Sequence, residues 1–379
     1  MAKLTTSQDV SEFLASTNKV GALESLELAQ TKDLVGITLI ADASNNIKGY
    51  VGNIADSAFV NQTTLKGLSL GSSVTTIGSN AFYQCSGFTG PLVIPNSVTT
   101  IGEYAFTLCN FTGSLTIPNS VTTIGYRSFN VCDGFNGSLT IGNSVTSIAS
   151  YAFYECSNFT GSLVIPNSVT TIGDYAFGVC GFTGSLTIGN SVTSIGISAF
   201  DGCSGFTGSL TIGNSVTSIG QEAFQSCDGF IGSLVIPNSV TSIGHYAFDG
   251  CSGFNGSLTI GNSVTSIGIS AFNGCSGFTG SLTIGNSVTE IRDYAFEGCS
   301  SLTSVTIPNS ITSMGVYSFS NCSSLNTLNC YVTKTIINQS NVLAGTTTPF
   351  TINARASDGT WTAGTDEVGG QTVTVVKNL

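Results

Sequence analysis

Twelve cysteines, a single histidine and a thin scatter of carboxylates are the side chains here that could do chemistry. Eleven of the cysteines recur every 23 or 24 residues, at Cys85, Cys109, Cys132, Cys156, Cys180, Cys203, Cys227, Cys251, Cys275, Cys299 and Cys322. Such regularity belongs to a repeat and not to a redox design. If each repeat is one coil, successive cysteines stand about 4.8 Å apart or a little more, with parallel Cβ vectors. A disulfide needs Cβ atoms about 3.8 Å apart and turned toward each other. The spacing therefore predicts a ladder of buried free thiols acting as small apolar residues, and it leaves the redox compartment open. His245 stands in a variable slot before "YAF" with no serine, cysteine or carboxylate in phase. It carries no triad logic and reads as a surface residue at a tolerant position. Zinc would need CxxC pairs or clustered histidines, and a phosphate cradle would need a P-loop or Rossmann fingerprint. The aspartates of Gly-rich calcium repeats are missing as well. Asp293 and Glu297, with Glu290 nearby, have the four-residue spacing of a solvated face. The reading is of a non-enzymatic chain with no cofactor and no metal.

The cysteines belong to a unit written "SLTIGNSVTSIGISAFDGCSGFTG" over 185–208 and again, nearly unchanged, over 209–232. A period of this length points to stacked structural units. Aligned on "AF", with Ser128 and Ser318 replacing alanine, the units place Phe59, Phe82, Phe106, Phe129, Phe153, Phe177, Phe200, Phe224, Phe248, Phe272, Phe296 and Phe319 in one slot. That predicts about twelve coils, the first lacking its cysteine, where Gln62 stands instead. In "SLTI", Leu210 and Ile212 alternate with Ser209 and Thr211, the period of a half-buried strand. The asparagines of "GNS" and "PNS" (Asn96, Asn119, Asn143, Asn167) read as tight corners that bond their own backbone. Val216 and Ile219 then point inward, and the following glycine permits a second bend. The segment "xxAFxxC" is too short for a full helix and reads as one helical turn burying Ala, Phe and Cys. "GFTG" closes the coil with its Phe folded under. Units of 23 residues drop a residue at this corner, which marks it as a surface loop. No coil can cover its own apolar residues, so neighbours must stack to seal the core. The prediction is a β-rich solenoid of about twelve 23–24-residue coils with short helical turns, over 56–326, capped at both ends by 1–55 and 327–379.

The slots flanking "AF" vary most and form a phased surface. Tyr104, Tyr151, Tyr175, Tyr246, Tyr294 and Tyr317 share one of them, with Glu103, Asp174, Glu222, Asp249, Asp293 and Glu297 interleaved. Tyrosine favours interfaces because its ring gives contact area at low entropy cost while its hydroxyl stays polar. Two readings follow: a binding ridge in which these tyrosines act with Glu103, Asp174 and Asp293, or rings lying over neighbouring coils as partial core cover. The outward strand slots (Thr116, Thr140, Val164, Thr187, Thr211, Val235, Thr259) make a flat, uncharged face. It would suit a flat protein surface or a glycan, or be a solvated sheet. The "NFT" sequons at Asn110 and Asn158 arise from repeat composition.

"LTSVTIPNSITSMGVYSFSNCSSL" over 302–325 and "LVIPNSVTTIGDYAFGVC" over 163–180 resemble the Treponema pallidum-type leucine-rich repeat of BspA-like proteins. Ile-Pro, Val-Thr-x-Ile-Gly, Ala-Phe and Cys recur in order and in phase over about residues 56–326. The resemblance implies a right-handed leucine-rich-repeat superhelix, and a surface protein that binds host matrix or other cells. Most units depart from the family pattern by an inserted glycine.

Both ends differ from the repeat. In "TSQDVSEFLAST", Thr6 or Ser7 is expected to cap a short helix with Asp9 in its first turn and Val10, Phe13 and Leu14 on its apolar side. "LVGITLIA" over 34–41 reads as a strand lying against the first coil. After Leu328 the pattern dissolves into a segment holding the single Trp361 and a strand over 372–376. Only 8% of residues are charged and the net charge is −11, which disfavours nucleic acid and anionic membranes as partners. No run approaches about 18 consecutive apolar residues, so membrane insertion is not expected. "MAKLTTSQDVSEFLAST" shows no apolar leader, which leaves the cell surface or a particle surface as the expected location. The expected function is a surface-exposed recognition or adhesion scaffold binding protein or carbohydrate. The alternative is a structural virion component, a phage fibre or capsid decoration protein, docked to other virion proteins through its terminal segments.

Overall fold

Each repeat holds two short apolar alternations, Leu-x-Ile and x-Ile, and each becomes a rank of parallel strands. The computed structural model describes residues 3–4, 26–28, 37–41, 46–50, 53–338, 341–355, 357 and 359–377. The fold is a β-solenoid of about twelve turns with almost no helix. The chain divides into two compact units, Met1–Thr183 and Gly184–Leu379. In the first, Thr76–Ile77, Thr100–Ile101, Thr123–Ile124, Ser147–Ile148 and Thr171–Ile172 pair in parallel. Ser194–Ile195, Ser218–Ile219, Ser242–Ile243, Ser266–Ile267, Glu290–Ile291 and Ser313–Met314 do the same in the second. A second rank pairs Leu115–Thr116 with Leu139–Thr140, Leu186–Ile188 with Leu210–Thr211, and Leu234–Ile236 with Leu258–Ile260. Register is like on like, so each inward side chain sits on its own copy.

That register aligns the phenylalanines into columns. In the first unit Phe59, Phe82, Phe106, Phe129, Phe153 and Phe177 stack nearly parallel, with centroids 5.1–5.3 Å apart. Phe200, Phe224, Phe248, Phe272, Phe296 and Phe319 stack at 4.9–5.3 Å in the second. The "GFTG" phenylalanines, Phe88 to Phe182 and Phe206 to Phe278, form a second buried column in each unit. Offset stacks of this kind add about 0.5–1.5 kcal/mol per pair beyond area burial.

The "xxAFxxC" segment is not a turn of helix. Its amides alternate between two kinds of partner. Ala81, Tyr83 and Cys85 donate to carbonyls three residues back, while Asn80, Phe82 and Gln84 donate to Glu103, Ala105 and Thr107 of the next coil. A helix would have turned all these donors inward and left the neighbouring coil's carbonyls unpaired. The consequence is a pair of left-handed residues per coil, one immediately before "AF" and one immediately before Cys. The first set runs Asn80, Tyr104, Arg127, Tyr151, Tyr175, Ser198, Glu222 and onward at φ 49–59°. The second includes Leu108, Val131 and Val179 at φ 54–60° and Gly202, Gly250, Gly274 and Gly298 at φ 67–74°. Turns with positive φ at their third position favour Gly or Asn, and a β-branched side chain there is strained. Val179, which is 41% exposed, has little packing to lose. Val179→Gly is therefore expected to raise stability by about 1 kcal/mol, read as a higher urea midpoint. A lower midpoint would contradict this account of the slot.

Three further ranks of hydrogen bonds tie one coil to the next. All twelve cysteines are buried and free, but they are more than small apolar residues. Within each unit the ladder thiols donate to the "AF" carbonyl of the preceding coil, as in Cys109 to Phe82 at 3.0 Å and Cys251 to Phe224 at 3.0 Å. The corner asparagines bond a neighbour rather than their own backbone. Asn119 Oδ1 accepts the amide of Asn143 at 2.8 Å, and Asn238 Oδ1 that of Asn262 at 2.9 Å. In "VTSIG" the threonine hydroxyl donates to the equivalent carbonyl one coil back, Thr146 to Thr122 and Thr241 to Thr217.

The ends show more pairing than their sequence suggests. The expected helix beginning at Thr6 or Ser7 lies outside the described residues. Ile37–Ala41 is a strand but does not meet the first coil directly. Asn46–Tyr50 lies between, antiparallel to it and parallel to Gly67–Ser69. Beyond Leu328 the repeat vanishes from the sequence yet the ladder continues: Leu302–Ile307, Thr327–Cys330, Phe350–Ala354 and Gln371–Lys377 pair in parallel. Gly364–Val368 then folds back antiparallel on the last strand, and Lys334 pairs with Asp366 at 2.5 Å. Lys334 holds the Asp366 carboxyl below the usual carboxylate range. Trp361 is buried, its Nε1 donating to the Val332 carbonyl at 2.9 Å.

Candidate functional site

All six tyrosines of the expected ridge occupy the left-handed slot before "AF": Tyr104, Tyr151, Tyr175, Tyr246, Tyr294 and Tyr317, at φ 54–59°. The neighbouring residues in sequence face the core, since every Phe of the motif and every Ala but Ala58 is buried. The slot itself carries its side chain at the surface. Tyr246 and Tyr294 are each 36% exposed, and the other four are half-buried.

Within each unit the tyrosines gather into patches. In the first unit Tyr104 and Tyr151 are joined through Tyr126, whose ring lies 5.3 Å from the former and 5.9 Å from the latter, edge to face. Tyr151 stacks on Tyr175 at 4.8 Å, and Tyr154 packs edge-on against both. Tyr83 extends the array at the Tyr104 end, 6.3 Å away. Arg127 occupies the ridge slot between Tyr104 and Tyr151, its guanidinium 5.3 Å from the Tyr126 ring centre and 4.6 Å from that of Tyr151. Three of these tyrosines lie outside the slot that defines the ridge, Tyr126 one residue before it and Tyr83 and Tyr154 directly after "AF". Reading a single slot misses them. The signal was the transposition in "GYRSF" over 125–129, where tyrosine moves one place back and arginine takes its position.

In the second unit Tyr294 and Tyr317 stack at 5.3 Å, and Asn341 Nδ2 donates to the Tyr317 hydroxyl at 2.9 Å. Tyr246 is flanked in its slot by Glu222 and Ser270. The acids of this unit are held by neighbouring coils. Asp293 accepts the Val316 amide at 2.9 Å, and Glu222 accepts from Ser198 and Gln221. Asp249 accepts from Gln225 and Asn273, and Glu297 from Ser320 and Asn321. Burial pushes the Asp201 carboxyl up, with the nearby Glu222 charge adding to it. His245 follows the same pattern as Asp293: its Nδ1 accepts the Ile269 amide at 2.8 Å. Glu103 and Asp174, in the first unit, are exposed.

The outward strand face is uncharged. Val164 is 56% and Val235 55% exposed, and no hydrogen bond among the described residues engages the hydroxyls of Thr116, Thr140, Thr211 or Thr259. Over the second unit a shallow groove of about 500 Å³ runs beside this face, lined by Val235, Pro237, Asn238, Thr259, Asn262 and Thr283. Among the described residues no group of His, Cys, Asp and Glu could hold a metal ion, and no helix is long and apolar enough to cross a membrane.

The model of the BspA type leucine rich repeat region, in six copies, matches residues 43–160, 136–255 and 254–353. Among solved structures, a leucine-rich repeat protein from Bacteroides ovatus ATCC 8483 superposes with a TM-score of 0.55 at 22% identity, over 82% of this chain and 94% of that one. A leucine rich cell surface protein from Faecalibacterium prausnitzii A2-165 aligns over 88% of this chain and 95% of that one, at 23% identity and a TM-score of 0.43. The first of these shows a shared fold. No curated protein sequence matches the chain.

Proposed function

Because this chain belongs to the BspA-type leucine-rich repeat family, we propose that it is a non-enzymatic recognition scaffold that binds protein or carbohydrate through its repeat surface. Members of the family typically stand at the cell surface, and the same location is proposed here. The observation that carries the reading is the tyrosine array of the first unit. Inward positions of the coil are nearly invariant from repeat to repeat, and the variable slots hold the aromatic side chains at the surface. A contact surface built this way combines rigid ring area with polar hydroxyls.

The test is a screen of the intact protein against immobilised glycans and matrix proteins, repeated with Tyr104, Tyr151 and Tyr175 all changed to serine. Serine already occupies the same slot at Ser198 and Ser270 with φ 49° and 51°, so the coil accepts it. Loss of aromatic anchors is expected to weaken binding about tenfold or more. A folded triple variant that binds every target as the parent does would overturn the proposal.

A further inference from the structure

Arg127 is the one cation in the ridge slot, and its surroundings form a built receptor. It is half-buried, and its guanidinium lies against the rings of Tyr126 and Tyr151 at 5.3 and 4.6 Å. Its Nε is sealed from solvent with no hydrogen-bond partner, and the two ion pairs among the described residues, Arg292–Glu290 and Lys334–Asp366, do not involve it. That atom lies out of reach of a ligand, but no hydrogen bond or ion pair among the described residues engages the Nη end, and an arginine fixed by ring stacking keeps a planar fork suited to a carboxylate. The left-handed backbone at φ 52° further fixes where the side chain starts. Every other residue of this slot in the first unit is tyrosine, asparagine or serine.

Resting on the recognition reading above, we infer that Arg127, with Tyr104, Tyr126 and Tyr151, binds a sugar carrying a single carboxylate. The guanidinium takes the carboxylate and the rings of Tyr104 and Tyr126 take the sugar, while Tyr151, with Arg127 over its ring and Tyr175 stacked on it, holds the guanidinium in place. The charge pattern favours a glycan over an acidic peptide. Glu103 and Asp174 are exposed in the same variable slots and the chain carries a net charge of −11. A run of carboxylates would be repelled where one isolated carboxylate is matched.

Calorimetric titration of the intact protein with three probes tests this: a trisaccharide bearing one glucuronic acid, its methyl ester, and a hexaglutamate peptide. The acid is expected to bind saturably, and the uncharged ester about tenfold more weakly. Arg127→Gln should weaken the acid about tenfold while leaving the ester unchanged, and Arg127→Lys should restore only part of the loss. Circular dichroism of both variants establishes that they fold. Equal acid binding by parent and Arg127→Gln, hexaglutamate binding as tight as the sugar, or no saturable binding of the acid would each overturn the inference. If the triple serine variant still loses its protein or neutral-glycan target, only the acidic-sugar assignment falls. If that variant also binds unchanged, the recognition reading falls with it.

Discussion

Phe224→Ala lowers the free energy of unfolding by about 3–5 kcal/mol, the range for emptying a buried aromatic site. Phe224 is fully buried and stacks on Phe200 at 5.3 Å and on Phe248 at 5.1 Å. Its removal therefore breaks two ring contacts as well as leaving a cavity. The backbone around it is fixed by amides that donate to the next coil, Phe224 to Ala247 at 2.8 Å, so the walls cannot close in. In a repeat array stability is a sum of coil terms and nearest-neighbour terms, and a weak interface in mid-array can uncouple its two sides. Urea unfolding of the variant should accordingly begin earlier and broaden, since a single two-state transition no longer describes it. A loss below about 1 kcal/mol would mean the column is not the core of the coil.

The second large effect is alkaline unfolding. Burial raises Cys85 and Cys322 from the usual 9.0 to about 12, only partly offset by a backbone hydrogen bond. Cys109, Cys227, Cys275 and Cys299 are pushed well above 9.0 by burial and then by the neighbouring thiols. Below pH 9 the thiols are protonated in both states and stability is undiminished. Between pH 9 and 12 the unfolded chain releases protons that the folded chain retains. Each of these six thiols then removes about 1.4 kcal/mol per pH unit. Several acting together exceed the whole stability of an ordinary domain, so the fold should collapse shortly above pH 9. Circular dichroism against pH follows it, and replacing Cys227, Cys251 and Cys275 with alanine should move the midpoint upward. An unchanged fold at pH 11 would refute the protonated ladder.

Much of this was legible because stacked copies must repeat their inward residues. Leu210 and Ile212, Val216 and Ile219, and Phe224 announce their burial by period alone. The hydrogen bonds were not legible, since Asn119 and Cys109 satisfy partners one coil away, and sequence rules for corners describe bonds to the residue's own chain segment. The left-handed slot was hidden for a related reason. Tyr104 and Val179 are poor choices for positive φ, and only the alternate donation of amides to the next coil forces them into it. The tyrosine array was half visible: Tyr104, Tyr151 and Tyr175 share a phase, but Tyr126 and Tyr154 join them across slots, which a one-slot alignment cannot show. The C-terminal strands keep the ladder through backbone pairing, which leaves little mark on side-chain pattern.

The asparagine hook from one corner to the next amide, Asn119 to Asn143 and Asn190 to Asn214, spans 24 residues each time and always points the same way. A tandem duplication of one 24-residue segment would thus bring both halves of every such contact with it and meet a matching neighbour on either side. Copy number can change by unequal recombination without any compensating substitution, and the reach of the displayed surface becomes heritable separately from the identity of what it displays.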